Sequence, residues 1–398
     1  MQSGALTSGN RIDGAHGDED EGDAFGADRA QLDRITRLAT RLFDVSASTI
    51  TLLEGDRAWF PSAEGYDGTP LPRNQTPCAT TQLLGRLLEV PDARADERFA
   101  DLDLVRAGAI VFYAGHPLHD HLGNVIGTLC LIDGEPRTLD DGERSDLADL
   151  AAWAEHELVA SSEMGQARQV QASLFPQEPL RSRGWEIDGM CLPALAVGGD
   201  CYDFGIGGGV LHLGVGDVMG KGTSAALLGA GARSAIRATH AAVTAGADLG
   251  VIATQVARSL VPDLERSGAF LTVFEAAVDL DDGYCRWVDA GAGLAAVVRA
   301  DGSVEPLIGD DRPFGIFPDD HWSEHTTVLA PGDRLVAVSD GVLDLVDDDR
   351  DPWPELLPAI RAAESPRDLL DHVRSLARRR TPSDDVTVLA AFRGTDAA

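Results

Sequence analysis

Lysine is nearly missing from this chain: of its 33 cationic residues only Lys221 is a lysine, and the others are arginines. Set against 65 acidic residues, the formal net charge is −32. So negative a chain argues against nucleic acid or anionic membrane as a partner, since either needs a basic face that displaces counterions; a basic protein partner remains open. There is no apolar run of about 18 residues, so no membrane-spanning helix is expected, and no secretory leader is read. The five cysteines, Cys78, Cys130, Cys191, Cys201 and Cys285, contain no Cys-x-x-Cys pair. That removes the common zinc and redox spacings and predicts reduced thiols in a cytoplasmic protein.

What remains is ample for folding. At 398 residues and 44% hydrophobic composition, the chain has length and apolar content for two or three domains. Residues 1–27 are rich in Gly and Asp, carry the run Gly17-Asp18-Glu19-Asp20-Glu21 and hold little to bury, so they read as a disordered acidic tail. From Ala30, apolar residues recur at three and four (Leu32, Ile35, Leu38, Ala39, Leu42, Phe43), the period of a buried helix face.

Five apolar runs follow, at 48–53, 57–60, 87–90, 109–114 and 124–132, with a helix near 79–86; they predict an antiparallel sheet whose last two strands form a hairpin. The order of Val90-Pro91-Asp92-Ala93, Asp96-Glu97-Arg98-Phe99-Ala100, Phe112-Tyr113-Ala114-Gly115 and Gly127-Thr128-Leu129-Cys130-Leu131-Ile132-Asp133 resembles a GAF sensory domain, over residues 28–160. The resemblance implies a small-molecule ligand between sheet and overlying helix, with Trp59, Phe60, Phe99, Phe112 and Tyr113 either lining that pocket or packing as plain core. The bilin-attachment Cys-His pair of phytochrome-type GAF domains is absent. His116-Pro117-Leu118-His119-Asp120-His121 crowds three imidazoles together, but the expected location is an exposed hairpin turn before Gly123, which makes a metal site the lesser reading. Cys78 reads as a packed thiol ahead of a redox sensor.

Asp140 to about Leu174 reads as one long helix, with Leu147, Leu150, Ala154, Glu157 or Leu158, Ser161 and Met164 approximating a heptad seam. A homodimer through this helix, whose part at 161–175 forms the linker, is expected.

Four aspartates then stand at the ends of apolar runs: Asp200 in Gly198-Gly199-Asp200-Cys201-Tyr202-Asp203, Asp217 in Gly214-Val215-Gly216-Asp217-Val218-Met219-Gly220-Lys221-Gly222, Asp340 after Leu335-Val336-Ala337-Val338-Ser339, and Asp384 before Asp385-Val386-Thr387. If those strands are neighbours, four carboxylates meet at one rim, where repulsion would amount to several kcal/mol unless cations neutralise it. Hard oxygen donors without His or Cys favour Mg²⁺ or Mn²⁺ over Zn²⁺. Any one of these aspartates alone is better read as a turn or cap residue.

Taken with the Gln171-Ala172-Ser173-Leu174-Phe175-Pro176 entry, the set resembles the metal-dependent PPM (2C) serine/threonine phosphatases, and most closely their bacterial SpoIIE-like branch, from about Ser173 to Arg393. The resemblance implies an α-β-β-α sandwich over 176–398, an α/β (α+β) multidomain chain overall, and two Mn²⁺ or Mg²⁺ ions. Asp200, Asp217, the Val218 carbonyl, Asp340 and Asp384 correspond to the metal ligands, with Asp385 taking the last position if the register slips. Asp200, Asp217 and Asp340 correspond to the catalytic set; Tyr202 and Asp203 are expected to be supports. The substrate implied is a phosphoserine or phosphothreonine protein, of the anti-anti-sigma type. Two departures stand out: Met219 replaces the common Ser, and Ala290-Gly291-Ala292-Gly293-Leu294 lacks the usual His at Ala292. The second motivates an alternative, a catalytically weak phosphatase-like binding or sensor protein in a partner-switching complex.

Overall fold

The computed structural model describes residues 29–347 and 350–395, so the acidic tail lies outside the described residues. It divides into two units, with the boundary between Gln166 and Ala167.

In the first unit, α1 (Arg29–Phe43) buries Leu32, Ile35, Ala39 and Phe43, the stripe its period demands. β1 (Ala47–Glu54), β2 (Arg57–Glu64) and β3 (Leu71–Pro72) lead to α2 (Cys78–Leu84), β4 (Leu88–Val90), α3 (Asp103–Arg106), β5 (Phe112–His119), β6 (Val125–Asp133) and α4 (Asp141–Leu174). The strands make one antiparallel sheet in the order β3-β2-β1-β6-β5-β4.

Alternation along β5 sends Phe112 into the cluster with α1 and α4, and Tyr113 into the opposite cluster with Cys78, Phe99 and Cys130. The five aromatics therefore do not line one pocket, because adjacent strand residues face opposite sides. The histidine stretch also differs from the turn expected of it. His116 and His119 belong to β5, and Asp120 makes the turn by accepting hydrogen bonds from the Leu122 and Asn124 N–H groups. His119 Nδ1 lies 2.6 Å from Glu155 Oε1, while His116 Nδ1 lies 3.0 Å from its neighbour's carbonyl. In α4, Leu147, Leu150, Ala154 and Leu158 are buried within this same unit's core, which uses up the first half of the heptad seam.

The second unit has two sheets between two helical layers. Its elements are β7 (Leu180–Ser182), β8 (Trp185–Leu192), β9 (Cys201–Gly207), β10 (Val210–Val218), α5 (Thr223–Arg237), α6 (His240–Thr244), α7 (Leu249–Ser267), β11 (Leu271–Asp279), β12 (Tyr284–Ala290), β13 (Ala295–Val298), β14 (Val304–Pro306), β15 (His325–Val328), β16 (Arg334–Val338), α8 (Trp353–Ala362), α9 (Pro366–Arg380) and β17 (Val386–Arg393). One sheet runs β15-β12-β11-β10-β9 and the other β14-β13-β16-β17-β8-β7.

Leu211, Leu213 and Val215 point from β10 into the core between the sheets, against Ile187, Leu335 and Leu389. Val218 points the other way, into the layer under α5 and α7. The far face of the second sheet is covered by α8 and α9. By its apolar period the stretch from Leu356 to Arg378 predicts one helix, but the structure breaks it at Ser365-Pro366. There the Ser365 hydroxyl accepts from the Asp368 N–H and the Asp368 carboxylate accepts from the Ser365 N–H, a capping box that starts a new helix.

Candidate metal and phosphate site

Each of the four aspartates sits where a strand of the second unit begins or ends. Asp200 immediately precedes β9, Asp217 is the penultimate residue of β10, Asp340 opens a 3-10 turn just after β16, and Asp384 lies just before β17. β9 pairs with β10 and β16 with β17, so each sheet contributes two adjacent strand ends.

What holds the loops together is Asp385, whose side chain is buried and spent on the backbone. Its Oδ1 accepts from the Ala194 N–H at 2.7 Å and its Oδ2 from the Gly199 N–H at 2.7 Å. A Cβ on Gly198 would lie 2.2 Å from that carboxylate, and one on Gly341 would lie 2.0 Å from the Asp385 carbonyl, so both positions need glycine. Ser339 locks the same junction, donating to the Asp385 carbonyl at 3.1 Å and accepting from the Thr387 N–H at 2.9 Å.

The carboxylates perturb one another. Burial, then the neighbouring charges of Asp340 and Asp384, pushes Asp217 up to about 6. Burial, then Asp217, raises Asp200 well above the usual carboxylate range. Asp340 is raised by burial and by Asp384, against the opposing pull of the Gly341 N–H and Lys221. The only lysine of the chain stands in this field: Lys221 Nζ is 3.2 Å from Asp384 Oδ2 and donates to the Ser383 carbonyl.

The chemistry of the donors suits a hard divalent cation, and Asp200 Oδ2 is a buried acceptor without a hydrogen-bond partner. Their arrangement is less complete. Among the described residues, no three His, Cys, Asp or Glu side chains stand around one point that could hold an ion.

The supports were only partly visible in sequence. Asp203 is held by Arg233 at 3.2 Å and Arg237 at 2.8 Å, and Tyr202 stacks on Phe175 with ring centroids 4.8 Å apart. Gln171, which opens the entry motif, also holds a loop of the site. Its side-chain N–H donates to the Gly198 carbonyl at 2.7 Å and its Oε1 accepts from the Gly198 N–H at 3.1 Å, so the end of α4 grips the loop that leads to Asp200. Where a His was expected, the Ala292 N–H donates to Asp289 Oδ1 at 2.9 Å, with Gly293 and Gly309 N–H groups completing the turn.

Residues 207–393 match the family described as Stage II sporulation protein E (SpoIIE), and residues 29–158 match the GAF domain. A cyclic di-GMP phosphodiesterase of Pseudomonas aeruginosa is 39% identical over 113 residues, which is 28% of this chain and 19% of that protein. Protein IcfG of Synechocystis is 23% identical over 270 residues, 58% of this chain and 41% of that protein. The chain thus spans less than half the length of either relative. Among solved structures, the RsbU and RsbW domains of a Mycobacterium tuberculosis protein align with a TM-score of 0.48 at 26% identity, over 56% of this chain and 64% of theirs.

Proposed function

We propose that this chain, with its PPM/PP2C-like phosphatase fold fused to an N-terminal GAF domain, acts in signalling on a phosphorylated protein, hydrolysing phosphoserine or phosphothreonine on a regulator of the anti-anti-sigma type. The observation that carries this reading is the set of four strand-end aspartates, two from each sheet, of which Asp200, Asp217 and Asp340 are raised by burial and by neighbouring carboxylates. Such a field favours cations. Asp200, Asp217, the Val218 carbonyl, Asp340 and Asp384 would hold two Mn²⁺ or Mg²⁺ ions. Those ions would supply an acidified water and charge stabilisation at the phosphoryl oxygens.

The chain's own residues contribute position. Asp385 clamps Gly199 and Ala194 so that Asp200 is held beside Asp217. Gly341 lets the backbone turn close against Asp385. Lys221 keeps a positive charge beside Asp384, at the exposed side of the set.

A second reading has its own support, and the side-chain arrangement favours it over turnover. Among the described residues no ion-holding cluster is assembled, Lys221 is already paired with Asp384, and Ala292 lacks an imidazole. On that reading the protein is a phosphatase-like binding or sensor protein of weak activity in a partner-switching complex. On either reading, we propose a small-molecule input at the GAF domain, a homodimer through α4 and a cytoplasmic location; among the described residues, no helix is long and apolar enough to cross a membrane.

Turnover of a phosphopeptide and of p-nitrophenyl phosphate with Mn²⁺ separates the two. The enzyme reading expects phosphate release that a chelator stops and that Asp217→Asn or Asp340→Asn abolishes. Release unaffected by chelator or by either substitution sinks it. Tight binding of a phosphoprotein with no release selects the second reading.

A further inference from the structure

Two of the five cysteines, 52 residues apart in sequence, meet in the first unit: Cys78 Sγ lies 3.3 Å from Cys130 Sγ. Cys78 is the first residue of α2, and Cys130 sits in β6, an inner strand of the sheet. No other sulfur–sulfur contact of hydrogen-bond length occurs among the described residues. Around the pair is a nest of polar groups inside an otherwise apolar cluster that includes Leu88, Val90, Phe99 and Ile110. Thr128 Oγ1 is 3.0 Å and the Tyr113 hydroxyl 3.4 Å from the Cys130 sulfur, and Thr51 Oγ1 is 3.7 Å from the Cys78 sulfur. Thr81 ties the Tyr113 hydroxyl in place at 2.9 Å. Gly115, which pairs with Cys130 across the sheet, makes the room: a Cβ there would lie 2.1 Å from the Tyr113 hydroxyl.

We propose that Cys78 and Cys130 form a dithiol site that a hydroperoxide converts to an intramolecular disulfide, tying the start of α2 to β6. The sulfurs are in contact, and an S–S bond of about 2.0 Å requires only a small further approach. Hydrogen bonds from Cys130, Thr128, Thr51 and Tyr113 pull the Cys78 thiol below the ordinary thiol range, whereas burial pushes Cys130 up. Either sulfur can attack, and the other, 3.3 Å away, is placed to resolve.

In the first step one of the two thiolates attacks the peroxide, the O–O bond breaks, and the released oxygen takes the thiol's proton and leaves as water from hydrogen peroxide, or as the alcohol from an alkyl hydroperoxide. That sulfur is then a sulfenic acid. In the second step the other sulfur attacks it, the S–S bond forms, and the S–O bond breaks as hydroxide takes the second thiol's proton and departs as water. Two electrons leave the two thiols and reduce one peroxide. The polar nest gives the departing oxygen hydroxyl donors in what is otherwise an apolar cluster.

The test uses the full chain, hydrogen peroxide as the probe, and thiol alkylation after denaturation, read by intact mass and peptide mapping. Before treatment all five cysteines alkylate. After treatment the expected result is loss of two alkylation sites, a cross-linked peptide joining Cys78 to Cys130, and recovery on addition of dithiothreitol. Cys130→Ser or Cys78→Ser should abolish the cross-link, and the variant that keeps the attacking sulfur should hold it as a sulfenic acid that dimedone traps, while Cys191→Ser and Cys285→Ser change nothing. Peroxide treatment that leaves all five thiols alkylatable, or that joins any other pair, overturns the proposal. The mapping on the unsubstituted chain decides this even if a variant does not fold.

Discussion

Glu275, in the middle of β11, is a carboxyl for which nothing in the candidate site accounts. It is 4% exposed, its Oε1 has no hydrogen-bond partner, and burial, then the charge of Asp203, raises it from 4.5 to about 8. A folded-state pKa above the unfolded value means the native chain binds the extra proton between those two limits. Stability from this group is therefore full below about pH 4.5 and is lost as pH rises toward 8, at about 1.4 kcal/mol per pH unit at most. Glu275→Gln should flatten that part of the pH–stability curve and stabilise the protein most at pH 8, as read by urea denaturation at several pH values. An equal slope in both proteins would show that Glu275 is not protonated in the fold. Asp384 and Asp385 illustrate how neighbours in sequence diverge: one is 41% exposed in its side chain beside Lys221, the other is buried and fully engaged by backbone N–H groups. Asp385→Ala should remove acceptors from at least two buried donors and destabilise by about 2–5 kcal/mol, whereas Asp384→Ala should leave stability within about 1 kcal/mol, as expected for an exposed ion pair.

Between elements, the grip of α4 on the Gly198-Gly199-Asp200 loop is the feature with most mechanical consequence. Gln171 is buried and uses both ends of its amide on a single residue, Gly198. Gln171→Leu preserves approximate volume but leaves the Gly198 N–H and carbonyl without partners. The expected loss is about 1–3 kcal/mol of stability; the activity of the variant, if the enzyme reading holds, should fall with Mn²⁺ affinity, read by calorimetry. Gln171→Glu keeps one acceptor and should lie between. Unchanged stability in Gln171→Leu would mean the loop is held without α4. Helix α9 follows the same logic of local chemistry: its start at Ser365-Pro366 is set by a capping box, and a periodicity count that ran through it joined two helices into one.

For the whole molecule, the seam expected to join two copies competes with the chain's own core. Leu147, Leu150, Ala154 and Leu158 are already buried in the first unit, leaving a partner only the later turns of α4, where Val170 is 62% exposed. A dimer through so short a stretch should be concentration-dependent, because few apolar residues remain to offset the loss of freedom on association. Sedimentation velocity across the micromolar range should show a shift from monomer toward dimer, and a strict monomer throughout removes the dimer. The net charge of −32 also sets a condition on partners: a basic protein partner should bind more weakly as salt rises.

Period and turn chemistry were enough to read α1, α4 and the main strands of the first unit, because burial faces recur every two or three to four residues whatever lies across from them; the sandwich of the second unit followed from the family resemblance, and there the period ran α8 and α9 together as one helix. The same cues also made Asp200, Asp217, Asp340 and Asp384 legible as strand-end carboxylates, each between an apolar run and glycine or a turn. Sequence could not tell Asp384 from Asp385, or find the roles of Gln171, Glu275 and the Cys78–Cys130 pair. Each of these depends on what packs opposite it from a distant stretch of chain: Asp385 meets Gly199 across 186 residues, and Cys130 meets Cys78 across 52. Local pattern carries the period of a face; which groups share that face, and whether a carboxylate there is spent on backbone or left free for a cation, is set when the strands pair.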